Sequence, residues 1–526
     1  MLIPAYIFAF PGKIIKTFDA PAKHSTGMTF DGKNLWIADQ YKDLIYCINP
    51  ENGHIVKKLK SPAYWITGLT FDGKYLWAID MKNGTRESEN YGAVLYKINP
   101  QNGIIEKTVP VSIALPQGLA FDGKYIWIAD DGNNQLVQID QNDGTTIKTI
   151  PSPSGRPTGL TFDGKYLWNA DHGTNSIYMI DPQTGAVIIF TDSPNEFPRG
   201  LAFDGKYLWN VDSQTDKIYK LIKSDNDLFR KRDEKTVELT YRHISTNYGP
   251  GNVKTLDIFL AIPRNRLNQQ ILSIKYGSKP TNFVTDRWGQ KTAHFHIENL
   301  KQGQHFEANM TVKAKFYDLT FFIYPDKVGK LKQMPDSVKK YLANDAKYDF
   351  NNPIIQKAVK NAIGNEQNPY WIVRKIFDYV REHMYYQMSG GWNTAPTVLA
   401  RGNGSCSEYS FVFISMCRAA GIPARYVGSV VIRSEATAID DVFHRWVEVY
   451  LPNYGWIPVD PSGGDRKTPA QQARFFGHLS PRFLITTQSG GDSKTLQWNY
   501  NSNQFFTSEP QTYLQADYYG DWQLVK

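Results

Sequence analysis

The chain has 526 residues, 41% hydrophobic and 21% charged, an ordinary folded composition with length enough for three or more domains. Its net charge of +8 is spread thinly, and the mixed run Arg230–Lys235 reads as a solvated linker, so no nucleic-acid partner is expected. Three cysteines (Cys47, Cys406, Cys417) imply no disulfide framework, and no stretch approaches eighteen uninterrupted apolar residues, so no membrane span is expected.

The apolar start, Met1–Lys13, lacks a basic n-region and a small-residue cleavage site, and reads as a strand and hairpin turn. The compartment stays open: cytoplasmic by default, extracytoplasmic if an upstream signal was removed.

Residues 1–225 repeat. Phe-Asp-Gly-Lys recurs at Phe30, Phe71, Phe121, Phe162 and Phe203, each copy followed by a tryptophan: Trp36, Trp77, Trp127, Trp168 and Trp209. Steps of 41, 50, 41 and 41 residues match the period of a four-stranded propeller blade, and Asp-Gly between apolar runs is a hairpin signal. The extra length of the second repeat makes a longer loop around Lys82–Glu87. Residues Ala5–Phe18 look like outer strands without an inner pair, so the two chain ends are expected to complete one blade and close the ring. The count is five blades, with six as the alternative. The repeats resemble propellers of streptogramin lyases and lactonases. His24 and His172 occur in single blades and read as loop residues; the repeated Asp and Trp read as turn-capping and blade-packing groups. A protein or glycan ligand on the propeller face is the expected use of this module.

Residues 226–328 show strand alternation, as in Thr236–Tyr241 and Leu256–Pro263, separated by a Gly-Pro-Gly turn at 249–251. His294 and His296 share one strand face but have no third ligand nearby in sequence, so they read as surface residues and no metal is expected. Helices follow from about Ser337 and from Asn368-Pro369, the latter with an apolar stripe of Ile372, Ile376, Tyr379 and Val380.

Ser405-Cys406-Ser407-Glu408 follows the flexible Gly402-Asn403-Gly404. Ser405 with Glu408 three residues on has the capping-box spacing, which makes Cys406 the first residue of a helix, at the positive end of its dipole. There a thiolate is favoured over a thiol. Tyr409, Val412, Phe413 and Met416 form the stripe that buries this helix, and Gly421-Ile422-Pro423 ends it. Cys417, three turns and roughly 16 Å further along, reads as core. His444–Leu451 alternates like a strand, and Pro452–Gly455 turns it into Trp456–Pro461. Cys406, His444 and Asp460 thus supply nucleophile, base and orienting acceptor in order. A symmetric hairpin about residues 453 and 454 would pair Asp460 with Val447, three residues from His444, so a bulge, a strong twist or a shifted register is needed. Beyond Asp460 the aromatic-rich remainder reads as closing strands of the same core.

Gly404–Tyr409, Cys417–Arg425, His444–Tyr450 and Gly455–Pro461 together resemble the transglutaminase-like superfamily of papain-related fold. The resemblance implies Cys406 as nucleophile, His444 as base, Asp460 as orienter, and a β-sandwich preceding the core. It also suggests Tyr386 near an oxyanion site, against the plainer reading of a core tyrosine. Arg445 stands where many relatives have alanine, on the face opposite His444, and is expected to be harmless there.

The expected organisation is therefore multidomain: propeller (1–225), β-sandwich (226–328) and an α+β papain-like transglutaminase core (329–526). The expected activity is acyl transfer from a peptide bond or glutamine amide through a thioester, with hydrolysis slightly favoured over cross-linking. A protein or peptide is the expected substrate, and no cofactor is expected. Two other readings stand beside it: a non-catalytic, propeller-based binding scaffold with a degenerate core, and a metal-dependent propeller lactonase or lyase.

Overall fold

The computed structural model describes residues 10–82, 92–388, 391–433 and 439–525. The chain divides into two compact units, Met1–Leu228 with Arg466–Ala473, and Phe229–Asp465 with Arg474–Lys526.

The first unit is a β-propeller whose described residues form five four-stranded antiparallel sheets. The repeated aspartate explains the repeated tryptophan. Asp31 Oδ1 accepts the N–H groups of Lys33 and Asn34, closing the hairpin turn, while Oδ2 accepts the Trp36 indole N–H at 2.7 Å. The same indole bond recurs at Asp72–Trp77, Asp122–Trp127, Asp163–Trp168 and Asp204–Trp209, at 2.8 to 2.9 Å. One carboxylate thus satisfies both the turn and a buried donor that would otherwise cost a hydrogen bond.

Glycine lets the innermost strands touch. A Cβ on Gly68 would lie 2.1 Å from the Gln117 carbonyl oxygen, and one on Gly159 would lie 2.0 Å from that of Arg199. Gly200 returns to the start of the series, 2.5 Å from the Thr26 carbonyl by the same measure. The N-terminal strand Ile14–Asp19 pairs antiparallel with Lys217–Ile222, so one sheet is built from both ends of this repeat region. The short helix Pro469–Ala473 also belongs to this unit: Ala470 and Ala473 pack with Leu160 and Phe190, and the Ala470 N–H reaches the Pro153 carbonyl at 3.0 Å. The loop expected over Lys82–Glu87, past Lys82 itself, and most of the segment Met1–Lys13 lie outside the described residues.

In the second unit, two sheets face each other. One runs Gln269–Tyr276, His305–Phe321, Phe229–Gly249, Tyr513–Leu524; the other runs Asn282–Thr285, Lys291–Leu300, Val253–Ala261, Ser502–Ser508. Alternate residues point inward, among them Val237, Leu239, Tyr241, Leu256, Ile258, Leu260, Phe295, Met310 and Val312. The residues after Asp460 correct the expectation that all of them close the catalytic core. Ser502–Ser508 pairs with Val253–Ala261, and Tyr513–Leu524 pairs with Phe229–Gly249, so the chain end completes the sandwich instead.

A separate four-stranded antiparallel sheet, ordered Gly455–Val459, His444–Leu451, Ala424–Val431, Phe483–Ser489, carries the candidate site. Against it lies the helix Cys406–Ala419, buried from Cys406 to Arg418, a fuller burial than its apolar stripe suggested. The helix ends with Gly421 at φ +78° and the Ile422 N–H bonded back to the Cys417 carbonyl at 2.8 Å. The neighbouring helix Pro369–His383 starts where expected, with the Asn368 side chain accepting from the Tyr370 and Trp371 N–H groups. Among the described residues no helix is long and apolar enough to cross a membrane.

Candidate active site

Cys406 occupies the first turn of its helix, with extended backbone at Ser405 before it. The expected reciprocal cap is in place, with its Glu408 half the closer contact. Glu408 Oε2 accepts the Ser405 N–H at 3.2 Å, while Ser405 Oγ is buried without a hydrogen-bond partner. Glu408 has a second task that its capping spacing did not reveal. Its buried carboxylate meets Arg401 Nη2 at 2.5 Å and the Asn393 N–H at 3.0 Å, tying the segments on both sides to the helix start.

The hairpin that brings His444 and Asp460 together has a shifted register. The pairs run Val447↔Val459 through Leu451↔Gly455, which leaves a three-residue turn, Pro452-Asn453-Tyr454. Pro452 precedes Asn453 at φ +73°, and the Tyr454 N–H bonds the Leu451 carbonyl at 3.0 Å, the geometry of a type II turn. One step past the last pair, Asp460 comes level with Trp446, on the strand face that His444 shares. No bulge is required. Asp460 Oδ2 lies 2.7 Å from His444 Nε2, while Oδ1 accepts from Ser462 Oγ at 2.8 Å and the Gly463 N–H at 3.0 Å.

His444 also lies close enough to the Cys406 sulfur for each to shift the ionisation of the other. With Nε2 taken by Asp460, Nδ1 is the ring nitrogen left for the sulfur. Burial acts to raise the Cys406 pKa, but the hydrogen bond and positive charge of His444 outweigh it, and the backbone N–H and charge of Arg445 add to them. The thiol is held below its ordinary value. At His444, burial favours the neutral ring, yet the charge and hydrogen bond of Asp460 prevail and raise its pKa well above the imidazole range. Asp460 is itself lowered: burial opposes ionisation, but His444, the Gly463 N–H and Ser462 overcome it. The other two cysteines behave as plain core groups, with burial pushing Cys47 up to about 11 and Cys417 higher still. Cys406 keeps 9% of its surface exposed, whereas Cys417 keeps 0%. A cavity of about 320 Å³ reaches His444 and Asp460 between Trp446, Phe483 and Arg482.

Tyr386 lies beside this group. Residues Tyr385–Tyr386 pair in parallel with Asn403–Gly404, which sets Tyr386 next to the turn entering the Cys406 helix. Burial raises the Tyr386 pKa and the charge of Cys406 adds to it, yet the residue is 44% exposed, so it is not a core tyrosine.

Arg445, read from sequence only as a departure on the opposite face, is fully buried in a cage of aromatic rings. Its guanidinium carbon lies 4.3 Å from the Tyr426 ring centroid, 4.4 Å from that of Tyr500 and 4.8 Å from that of Trp392. Nη2 donates to the Trp498 carbonyl at 2.5 Å, while Nε and Nη1 have no hydrogen-bond partner. Ring faces, not carboxylates, balance this charge. The aromatic residues after Asp460 were the available signal, but nothing in their spacing pairs them with Arg445. His24 and His172 are in the first unit, packed on Tyr41 and Phe197 respectively, and take no part in this group.

Residues 356–461 match the model of the transglutaminase-like superfamily. A stretch of 248 residues is 23% identical to an uncharacterised protein of Haemophilus influenzae, covering 40% of this chain and 64% of that one, less than two thirds of the relative. Among solved structures, a candidate cysteine protease of Cytophaga hutchinsonii aligns over 57% of this chain and 100% of its own, with 13% identity and a TM-score of 0.41. Virginiamycin B lyase of Staphylococcus aureus aligns over 39% of this chain and 98% of its own, with 17% identity and a TM-score of 0.25. The family match places a transglutaminase-like core at residues 356–461, and the repeated four-stranded sheets form an N-terminal β-propeller.

Proposed function

We propose that this protein is a cysteine-dependent acyl-transfer enzyme acting on peptide bonds or glutamine amides, with water as the favoured acceptor. The reading rests on one observation: Cys406 at a helix start, its pKa lowered by the neighbouring His444, which is hydrogen-bonded to Asp460 at 2.7 Å. The Cys406 thiolate attacks the carbonyl carbon, forming the C–S bond and an oxyanion. The Cys406 N–H and the Tyr386 hydroxyl are the groups proposed to meet that oxyanion. As the tetrahedral centre collapses, the C–N bond breaks and the His444 imidazolium delivers its Nδ1 proton to the departing amine or ammonia. The neutral ring then takes a proton from water, whose hydroxide adds to the thioester. Collapse releases the acid, and the sulfur leaves as thiolate beside a renewed imidazolium. Asp460 stays ionised throughout and holds the ring through Nε2. An amine acceptor follows the same path and yields a cross-link. The propeller is proposed as the recognition module for a protein or glycan ligand; its repeated Asp and Trp side chains are already engaged with one another.

Incubation with a library of glutamine-containing peptides, with and without a primary amine, tests this reading by mass analysis. Backbone cleavage or loss of ammonia without added amine is expected, and it should be absent in a folded Cys406→Ala variant. Equal turnover by that variant would falsify the mechanism. No turnover by either protein would favour a binding scaffold.

A further inference from the structure

The fold supplies the third ligand that the sandwich histidines lacked in sequence. Asp257 lies on the strand next to theirs, directly across from His296 in the antiparallel register, and His294 is the adjacent residue on the same face. One oxygen, Asp257 Oδ1, stands 2.7 Å from His294 Nε2 and 2.7 Å from His296 Nδ1. One ligand atom from each of the three lies within 4.8 Å of the others.

We propose that Asp257, His294 and His296 form a binding site for a divalent transition-metal ion on the outer face of the sandwich. Two imidazole nitrogens and one carboxylate oxygen suit Zn²⁺, Co²⁺ or Ni²⁺ over Mg²⁺ or Ca²⁺. Ligand bonds of about 2.0–2.1 Å place neighbouring tetrahedral ligand atoms about 3.3 Å apart, so the present 2.7 Å spacing need open by only about half an ångström. The surroundings are those of a metal site. His294 Nδ1 faces Asn282 Oδ1 at 3.2 Å, and His296 Nε2 faces Glu298 Oε1 at 3.6 Å. Each ring therefore has an oxygen at both nitrogens, although a neutral imidazole has one N–H to donate. With a cation at the shared Asp257 oxygen, each ring ligates through its lone pair and donates its single N–H outward, to Asn282 or Glu298. Phe259 stacks on His294 at 4.5 Å with an interplanar angle of 7°, which fixes the ring plane. His296 is the outermost ligand, so the fourth position falls to water.

The test uses the full-length, untagged chain carrying Cys406→Ala, so that the Cys406–His444 pair cannot compete for metal. After chelator treatment and dialysis it is titrated with Co²⁺ and Zn²⁺, followed by calorimetry and by the visible absorption of bound Co²⁺. One equivalent of Co²⁺ should bind, be displaced by Zn²⁺, and be unaffected by excess Mg²⁺. His296→Ala, at the outermost position, and Asp257→Asn should each weaken binding about ten-fold or more with circular dichroism unchanged. Absence of uptake, or uptake of equal affinity by the folded His296→Ala variant, overturns the site and leaves a purely hydrogen-bonded trio.

Discussion

His444 Nε2 and Asp460 Oδ2 meet at 2.7 Å because the turn between their strands holds three residues, Pro452, Asn453 and Tyr454. That odd number brings Asp460 level with Trp446, so its side chain leaves the sheet on the same face as His444. A turn longer or shorter by one residue would send the carboxylate to the other face. The contact also orients the imidazole: with Nε2 directed at Asp460, Nδ1 is left for the sulfur.

Asp460→Asn should separate these two effects. The new amide can still accept from Ser462 and Gly463, but its NH₂ faces Nε2 and favours the wrong tautomer. A fall in kcat/KM of about 10³–10⁴-fold is expected, with the melting behaviour little changed. The sign of the pH effect follows from the charge removed. Asp460 raises the His444 pKa, so without it the imidazolium that protonates the leaving group is lost at lower pH, and the alkaline limb moves down. A pH profile whose alkaline limb stays in place would exclude this role.

Alkylation by iodoacetamide reads the thiolate directly. The Cys406 pKa is lowered, so its reactivity should persist below the ordinary thiol value of about 8.5 and fall only as pH drops through the lowered pKa. Burial raises the pKa of both Cys47 and Cys417, so peptide mapping of the native protein should find neither modified near neutral pH. Labelling of Cys406 that begins only above pH 8 would show an ordinary thiol.

Local chemistry was legible in the chain and long-range pairing was not. The five Asp-Gly turns and their tryptophans lie within six residues of one another, and the helix starts at Cys406 and Asn368 depend on adjacent side chains. The hairpin register turned on whether Asn453 adopts a left-handed conformation, a one-residue matter that composition leaves open. Nothing near Ser502 or Tyr513 says that these strands pair with residues some 250 positions earlier. Asp257 stands 37 residues from His294, and Arg445 is caged by rings from four separate segments; such groupings are set by long-range packing.

Arg445→Met should uncouple stability from reactivity. Methionine roughly fills the cage and removes a buried guanidinium with two unbonded nitrogens, so resistance to denaturant should be unchanged or higher. The backbone N–H facing Cys406 is kept, but the positive charge that helps the thiolate is lost. The acid limb of Cys406 alkylation should therefore move to higher pH. Loss of stability with an unmoved acid limb would make Arg445 a packing residue without influence on the sulfur.

Tyr386→Phe distinguishes an oxyanion donor from a wall of the cleft. Burial, reinforced by the charges of Cys406 and Asp460, raises the Tyr386 pKa, so the hydroxyl keeps its proton through the working pH range. That proton and the Cys406 N–H are the two donors proposed for the developing oxyanion. Removing it should lower kcat about 10–10³-fold with KM little changed, because the interaction arises only as charge develops on the carbonyl oxygen. Alkylation by iodoacetamide forms no oxyanion, so its rate at Cys406 should match that of the unaltered protein. A parallel fall in both reactions would mean that Tyr386 only positions the helix start, and an unchanged kcat would remove it from the chemistry.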